Sequence, residues 1–79
     1  MRWIGFNIRT LDDEYLVMKE WLENNIGVSI DDQYPNCEGP GWILRFKGWE
    51  GHIAGTLVYS YRVEISDPDM SVLFRLIWQ

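Results

Sequence analysis

The sequence predicts an α+β domain, a two-layer sandwich in which one helix packs on one face of an antiparallel sheet. Three observations support this fold class. Apolar residues alternate with polar ones near the N-terminus, then recur at helical spacing, and three further alternating segments follow with turns between them. A chain of 79 residues has room for one hydrophobic core, so we expect residues 1–79 to form a single domain with β-α-β-β-β order.

The first strand is predicted over residues 2–9. Side chains alternate there with the period of a strand that has one buried face. The apolar side consists of Ile4, Phe6 and Ile8. The other side carries Trp3, Gly5, Asn7 and Arg9.

A helix is predicted next. Thr10 and Asp13 supply the hydroxyl and the carboxylate that stabilise a helix start, so the helix is expected to begin at Leu11. It is expected to end near residue 25, where asparagine and glycine follow. At helical spacing the core stripe contains Leu11, Tyr15, Met18, Leu22 and Ile26, with Trp21 beside it.

The remaining chain is predicted as a long loop and three strands. Residues 27–41 are rich in proline, glycine and acids, and only Val28–Ile30 is expected to be extended. Strands follow over 42–47, 52–66 and 72–78, with turns at 48–51 and 67–69. The predicted core comprises Phe6, Met18, Leu22, Leu44, Phe46, Leu57, Tyr59, Phe74 and Leu76.

This arrangement leaves one sheet face without a covering helix. Five of the seven bases are expected on it, and an apolar group lies beside them. The bases are Arg9, Arg45, Lys47, Arg62 and Arg75, and the apolar residues are Trp3, Ile43, Val58, Leu73 and Ile77. Because monomers seldom expose such a group, we expect a homodimer.

Acidic residues concentrate in one part of the chain. The net charge is −5, but residues 12–38 alone hold eight acids and one base. The remaining residues have six bases and four acids. Negative charge disfavours nonspecific contact with a phosphate backbone and favours a basic partner.

No complete catalytic or metal-binding set is found in the sequence. Cys37 and His52 are the only cysteine and histidine, too few for a structural zinc site and more typical of a loop thiol and a surface imidazole than of a catalytic pair. The acid pairs Asp31–Asp32 and Asp67–Asp69 lie in turn-rich sequence, where aspartate is common for structural reasons. The glycine clusters lack the lysine and the following helix of a phosphate loop. We therefore expect no enzyme, no metal and no cofactor.

Exposed aromatic and apolar residues among the acids indicate a binding surface. Tyr34 and Trp49 fall in predicted loops, and exposed tyrosine and tryptophan are enriched at interface hot spots. Leu16 is expected on the solvent face of the helix with acids around it. The predicted partner-binding surface combines Tyr34 and Trp49 with an acidic face of Asp12, Asp13, Leu16, Glu20, Glu23, Asp31, Asp32 and Glu38.

The expected function is non-catalytic inhibition, in which this surface masks a basic protein or nucleoprotein, including one that binds nucleic acid. Small acidic domains of this kind recur among phage-encoded anti-CRISPR and anti-restriction proteins and among immunity proteins, an analogy of composition alone. The alternative is an RNA- or single-strand-binding module that uses the open sheet, with Trp3 stacking on a base and the arginines on phosphates. Direct nucleic-acid binding is the less favoured of the two because the net charge is negative. Without a membrane-spanning run or signal-peptide core, a cytoplasmic location is expected.

Overall fold

The computed structural model describes residues 3–79, which form five strands and two helices. In chain order the elements are β1 (Ile4–Thr10), α1 (Tyr15–Asn25), β2 (Asp31–Gln33), β3 (Asn36–Gly39), β4 (Trp42–Ile53), β5 (Thr56–Ile65) and α2 (Pro68–Trp78).

The strands form one antiparallel sheet in the order β1-β5-β4-β3-β2. In register, Phe6 of β1 lies opposite Val63 of β5, which lies opposite Leu44 of β4. Both helices pack on the face that carries these three residues, since buried residues of α1 and α2 belong to the same core cluster. The predicted α+β class, with an antiparallel sheet covered by helix on one face, is confirmed.

The core lies between this sheet face and the two helices. Its buried members are Phe6, Ile8, Tyr15, Met18, Leu22, Cys37, Trp42, Leu44, Tyr61, Val63, Ile65 and Phe74. Phe46 and Tyr59 are partly buried against this cluster, as expected. Leu57 is only half-buried and lies outside the cluster, and the prediction of a buried Leu76 is wrong.

Helix α1 begins four residues later than predicted. Thr10 continues β1 and pairs with Tyr59, so the chain needs residues 11–14 to cross from the sheet to the helix layer. Leu11 is consequently exposed rather than part of the core stripe. The end of the helix at Asn25 and the buried face of Tyr15, Met18 and Leu22 agree with the prediction.

The predicted loop over 27–41 contains a β-hairpin. Strands β2 and β3 pair in it, joined by a turn at Tyr34 and Pro35 whose peptide bond is cis. Val28–Ile30, the segment expected to be extended, precedes the hairpin and is not a strand. Alternation of apolar and polar residues does not predict this hairpin, because all three residues of β2 are exposed and Cys37 is the only buried side chain of β3 larger than glycine.

Residues 48–51 are bulges rather than the predicted turn. Strand β4 runs on to Ile53, and the register shifts between Phe46 and Gly48 and again between Trp49 and His52. Gly48 and Gly51 lie at these irregularities with φ angles of 116° and 101°, which glycine adopts at little cost. The turn to β5 lies at Ala54 and Gly55, so the β4–β5 hairpin is longer than expected.

The predicted last strand is helix α2, and this is the largest correction. Residues 70–78 are almost continuously apolar, and periodicity cannot separate a strand from a helix in such a run. Asp67 decides the outcome because its carboxylate accepts hydrogen bonds from Asp69 N and Met70 N at 2.9 and 3.3 Å, while Pro68 fits the first helical position.

The open sheet face is therefore smaller in apolar area than predicted. Leu73 and Ile77 are exposed on α2, on the helix side of the molecule, and Arg75 lies over the Phe6 ring there. With Val72 and Leu76, these residues give α2 an exposed apolar surface. The homodimer therefore stays a prediction.

Core packing should dominate stability. Leu22→Ala or Phe74→Ala leaves a cavity among fully buried side chains, and we expect a loss of about 2–5 kcal/mol in the free energy of unfolding. Urea denaturation measures it. Leu16→Ala and Leu76→Ala, at positions 68% and 74% exposed, are the matched controls, with changes of about 0.5 kcal/mol or less. Equal losses at buried and exposed positions would contradict the described core.

Candidate functional site: an aromatic pocket with one carboxylate

An aromatic pocket opens on the helix side of the sheet, where the β4–β5 hairpin continues past the start of α1. Its volume is about 290 Å³. Residues from four separated parts of the chain line it: Asp13, Tyr15, Tyr34, Pro35, Phe46, Trp49 and Tyr59. Two of the lining residues are mostly exposed, Tyr34 at 68% and Trp49 at 60%, so the pocket is accessible from solvent. We call this set the aromatic pocket.

The rings meet nearly edge to face on each side of the pocket. Tyr15 and Tyr34 lie with centroids 4.9 Å apart and planes at 81°. Phe46 and Trp49 lie 5.5 Å apart at 84°, and Tyr59 packs beside both of them. This is the preferred geometry for aromatic pairs, so the walls have a defined shape before any ligand enters.

Asp13 is fixed by the buried side chain of Tyr61. The Tyr61 hydroxyl donates to Asp13 Oδ1 at 2.9 Å and accepts from the Glu14 backbone N at 3.0 Å. Tyr15 N donates to the same Oδ1 at 3.1 Å. Burial, together with the bond to Asp13, raises the pKa of Tyr61, so its hydroxyl keeps its proton and remains the donor.

Trp42 holds the other end of α1 and the β2–β3 hairpin in place. Its indole Nε1 donates to Gly27 O at 2.8 Å, and the ring lies over Gly39, where a Cβ would come within 2.5 Å of that nitrogen. The hairpin that carries Tyr34 is tied further by Phe46 N, which donates to Pro35 O at 3.1 Å. The pocket walls are therefore attached to the core at both ends of α1.

The predicted acidic face is divided between two sides of the molecule. Asp31 and Asp32 are adjacent in β2 and point to opposite faces of the sheet. Asp32 lies on the helix side and pairs with Lys19, whereas Asp31 lies opposite Glu38 on the open face. The helix side keeps the rest of the set: Asp12, Asp13, Leu16, Glu20 and Glu23.

Two acids of that set have structural roles, so they are not simply solvent-facing as expected. Asp13 Oδ1 accepts hydrogen bonds from the Tyr61 hydroxyl and from the Tyr15 backbone N. Glu23 Oε2 accepts from Ser29 Oγ at 2.7 Å and from Ser29 N at 3.0 Å, and these bonds lower the pKa of the Glu23 carboxyl. Substitution of either acid by lysine would disturb the fold as well as the surface charge.

The open sheet face is mixed in charge rather than basic. Arg9 pairs with Glu50, and Arg45 lies 3.9 Å from Glu64. Arg62 occupies the space above Gly5, where a Cβ would meet its guanidinium. Strand alternation places Asp31 and Glu38 on this face, whereas Lys47 is the exposed extra residue of the bulge between Phe46 and Gly48. Trp3 is 41% exposed just before β1.

The residues considered for catalysis are not brought together. Cys37 pairs with Leu44 near the start of β4, whereas His52 lies near its other end. Burial raises the pKa of the Cys37 thiol, which opposes thiolate formation. Asp67 and Asp69 belong to the start of α2. Within residues 3–79 no group of three or more histidine, cysteine, aspartate or glutamate side chains is placed to hold a metal ion.

No protein-family model, curated protein or solved structure matches this chain. In the part of the chain that the structure describes, no helix is long and apolar enough to cross a membrane.

The sequence predicts Tyr34, Trp49 and Asp13 as binding residues, but it does not show that they line one pocket. It also predicts Tyr59 and Phe46 in the core and Tyr15 in the helix stripe. The missing information was the β2–β3 hairpin and the late start of α1, which bring Tyr34 and Asp13 to the same place. The available signal is Pro35 followed by Asn36, since proline and asparagine both favour turns.

The Glu23–Ser29 contact predicts a pH-dependent contribution to stability. The pKa of Glu23 is lower in the folded state than in the unfolded state. The contact therefore stabilises the folded protein fully at pH values above the unfolded-state pKa of Glu23, and this stabilisation is lost as the pH falls through the folded-state pKa. In Ser29→Ala the Oγ bond is removed, so the Glu23 pKa should rise in a carboxyl NMR titration. The variant should be less stable than wild type at neutral pH, and the difference should shrink in acid. Thr56→Ala, at an exposed position, is the control. An unchanged Glu23 pKa would contradict the contact.

Proposed function

We propose that this protein is a non-catalytic binding protein that docks on a basic protein or nucleoprotein and masks its basic surface. The observation that supports this most strongly is the aromatic pocket, with exposed Trp49 and Tyr34 at its opening and the carboxylate of Asp13 among its lining residues. Exposed aromatic residues around a concave site are the typical anchors of protein interfaces. An acidic site of this type suits a cationic partner.

The charge around the pocket supports the same proposal. Asp12, Asp13 and Glu14 are consecutive just before α1, and Glu20 is exposed on that helix. These charges are expected to speed association with a basic partner, and salt should reduce the effect. The desolvated aromatic contact is expected to determine how long the complex lasts. Inhibition would follow from covering the partner's basic surface. The analogy with anti-CRISPR and immunity proteins, which rests on composition alone, is the reason for proposing inhibition.

The alternative proposal, single-strand binding by the open sheet, has less support. Two of its arginines already pair with Glu50 and Glu64, and Arg75 lies on α2. Trp3 is the one aromatic residue expected to stack on a base there, whereas sheet-type RNA binders use two or three. This proposal remains an outcome of the experiment below.

Binding through the pocket should depend on Trp49. We expect a lysine-rich peptide to shift the NMR signals of the Trp49 indole and of residues lining the pocket, and we expect Trp49→Ala to weaken binding by about 2 kcal/mol. Leu76→Ala, which removes an exposed apolar side chain on α2, is the matched control and should bind as wild type.

The same titration with single-stranded RNA distinguishes the alternative. Shifts confined to β1, β4 and β5 residues of the open face, with no effect of Trp49→Ala, would reject the pocket and favour the sheet. Peptide binding that is equally strong in wild type and Trp49→Ala would also contradict the proposal.

A further inference from the structure

We infer that the aromatic pocket recognises the ammonium group of a lysine side chain on the partner. This rests on the proposed function and adds the chemical class that the pocket selects. The inference combines the open side of the Asp13 carboxylate, the aromatic walls and the finding that, within residues 3–79, no cation lies over a ring of the pocket.

The first argument is the open carboxylate oxygen. Asp13 Oδ1 already accepts two hydrogen bonds, from Tyr61 and from the Tyr15 backbone. No donor within residues 3–79 bonds Oδ2, so this oxygen is left to interact with a ligand. A carboxylate oxygen has about two acceptor sites, so Oδ1 is filled.

This asymmetry favours lysine over arginine. The guanidinium of arginine binds a carboxylate best with two parallel bonds, one to each oxygen. Only one oxygen of Asp13 is open, which suits the compact charge of an ammonium group. The remaining ammonium hydrogens can reach water, because Tyr34 and Trp49 at the opening are mostly exposed.

The second argument is the set of unoccupied rings. Tryptophan and tyrosine faces attract cations within about 6 Å of the ring centre. In residues 3–79 the cation found over a ring is Arg75, which lies over Phe6, and neither residue lines the pocket. Lys19 pairs with Asp32, and neither lines the pocket. The pocket rings are thus free to receive a cation from a partner.

The third argument is that the pocket is held in shape before binding. Tyr61 fixes Asp13, and edge-to-face pairs fix the rings, so little ordering is needed when the ligand enters. A flexible acidic surface would attract any cation, whereas this geometry favours one whose charge sits beside Oδ2 and whose methylene groups contact the rings.

The test uses four peptides that differ at one central position, which is lysine, arginine, acetyl-lysine or norleucine, titrated into the full chain and followed by NMR. We expect the lysine peptide to bind about tenfold more tightly than the acetyl-lysine and norleucine peptides, and more tightly than the arginine peptide. Asp13→Asn keeps an oxygen for the Tyr61 and Tyr15 bonds but removes the charge, so it should abolish the preference for lysine over acetyl-lysine while the fold persists. Glu20→Gln, which removes an exposed charge on α1 that does not line the pocket, is the matched control and should retain the preference.

The outcomes separate this inference from the proposed function. Equal binding of the lysine and acetyl-lysine peptides, with Trp49→Ala still weakening both, would overturn lysine recognition and leave the binding function standing. Arginine binding as tight as lysine would also overturn it. If none of the four peptides shifts a pocket signal, both the inference and the pocket-based function are rejected.

Discussion

The hydrogen bond from the Tyr61 hydroxyl to Asp13 is the contact on which the helix layer and the pocket both depend. Helix α1 has no side-chain cap from its own N-cap residue, Glu14, and no acid in its first turn. The support comes instead from a buried tyrosine in β5, which also accepts the Glu14 backbone N–H. The Tyr61 hydroxyl therefore accepts a free backbone N–H at the start of the helix and also orients a carboxylate at the surface.

Trp42 has the matching role at the opposite end of α1. It is fully buried, and its indole N–H bonds the backbone at Gly27, just after the helix. Without a Cβ at Gly39 the indole can lie directly on β3. The hydrogen bonds from Tyr61 and Trp42 hold the two ends of α1 against the sheet. One strand of this sheet precedes the helix in the sequence and the other four follow it. This explains how a domain of 79 residues orders a hairpin with little buried area of its own.

The two faces of the molecule differ, but not in the simple way that charge counting suggests. The open sheet face combines Arg9, Arg45 and Arg62 with acids, and two of these bases are paired. The helix side carries the aromatic pocket and most of the acidic face. Surface charge alone therefore does not locate the candidate site; a pocket that positions one charge among aromatic rings does.

The fold class, β1, the end and buried face of α1 and part of the core could be predicted from the sequence, because these depend mainly on local patterns. It failed where local patterns are ambiguous. Residues 70–78 are almost continuously apolar, so the Asp67 cap rather than the alternation determines a helix. Gly48 and Gly51 signal either a turn or bulges, and only pairing with β5 decides between them. Asp13 and Tyr34 could be named as binding residues, but their meeting depends on contacts with Tyr61 and Phe46 across more than ten residues of chain.

A double-mutant cycle on Tyr61 and Asp13 tests this account most directly. The free energy of unfolding is measured for wild type, Tyr61→Phe, Asp13→Ala and the double variant. The account predicts a coupling energy of about 1–3 kcal/mol, because the hydroxyl bonds a carboxylate in a partly buried position. Losses that add to within about 0.5 kcal/mol would show that the two side chains do not support each other, and would contradict the role assigned to this contact.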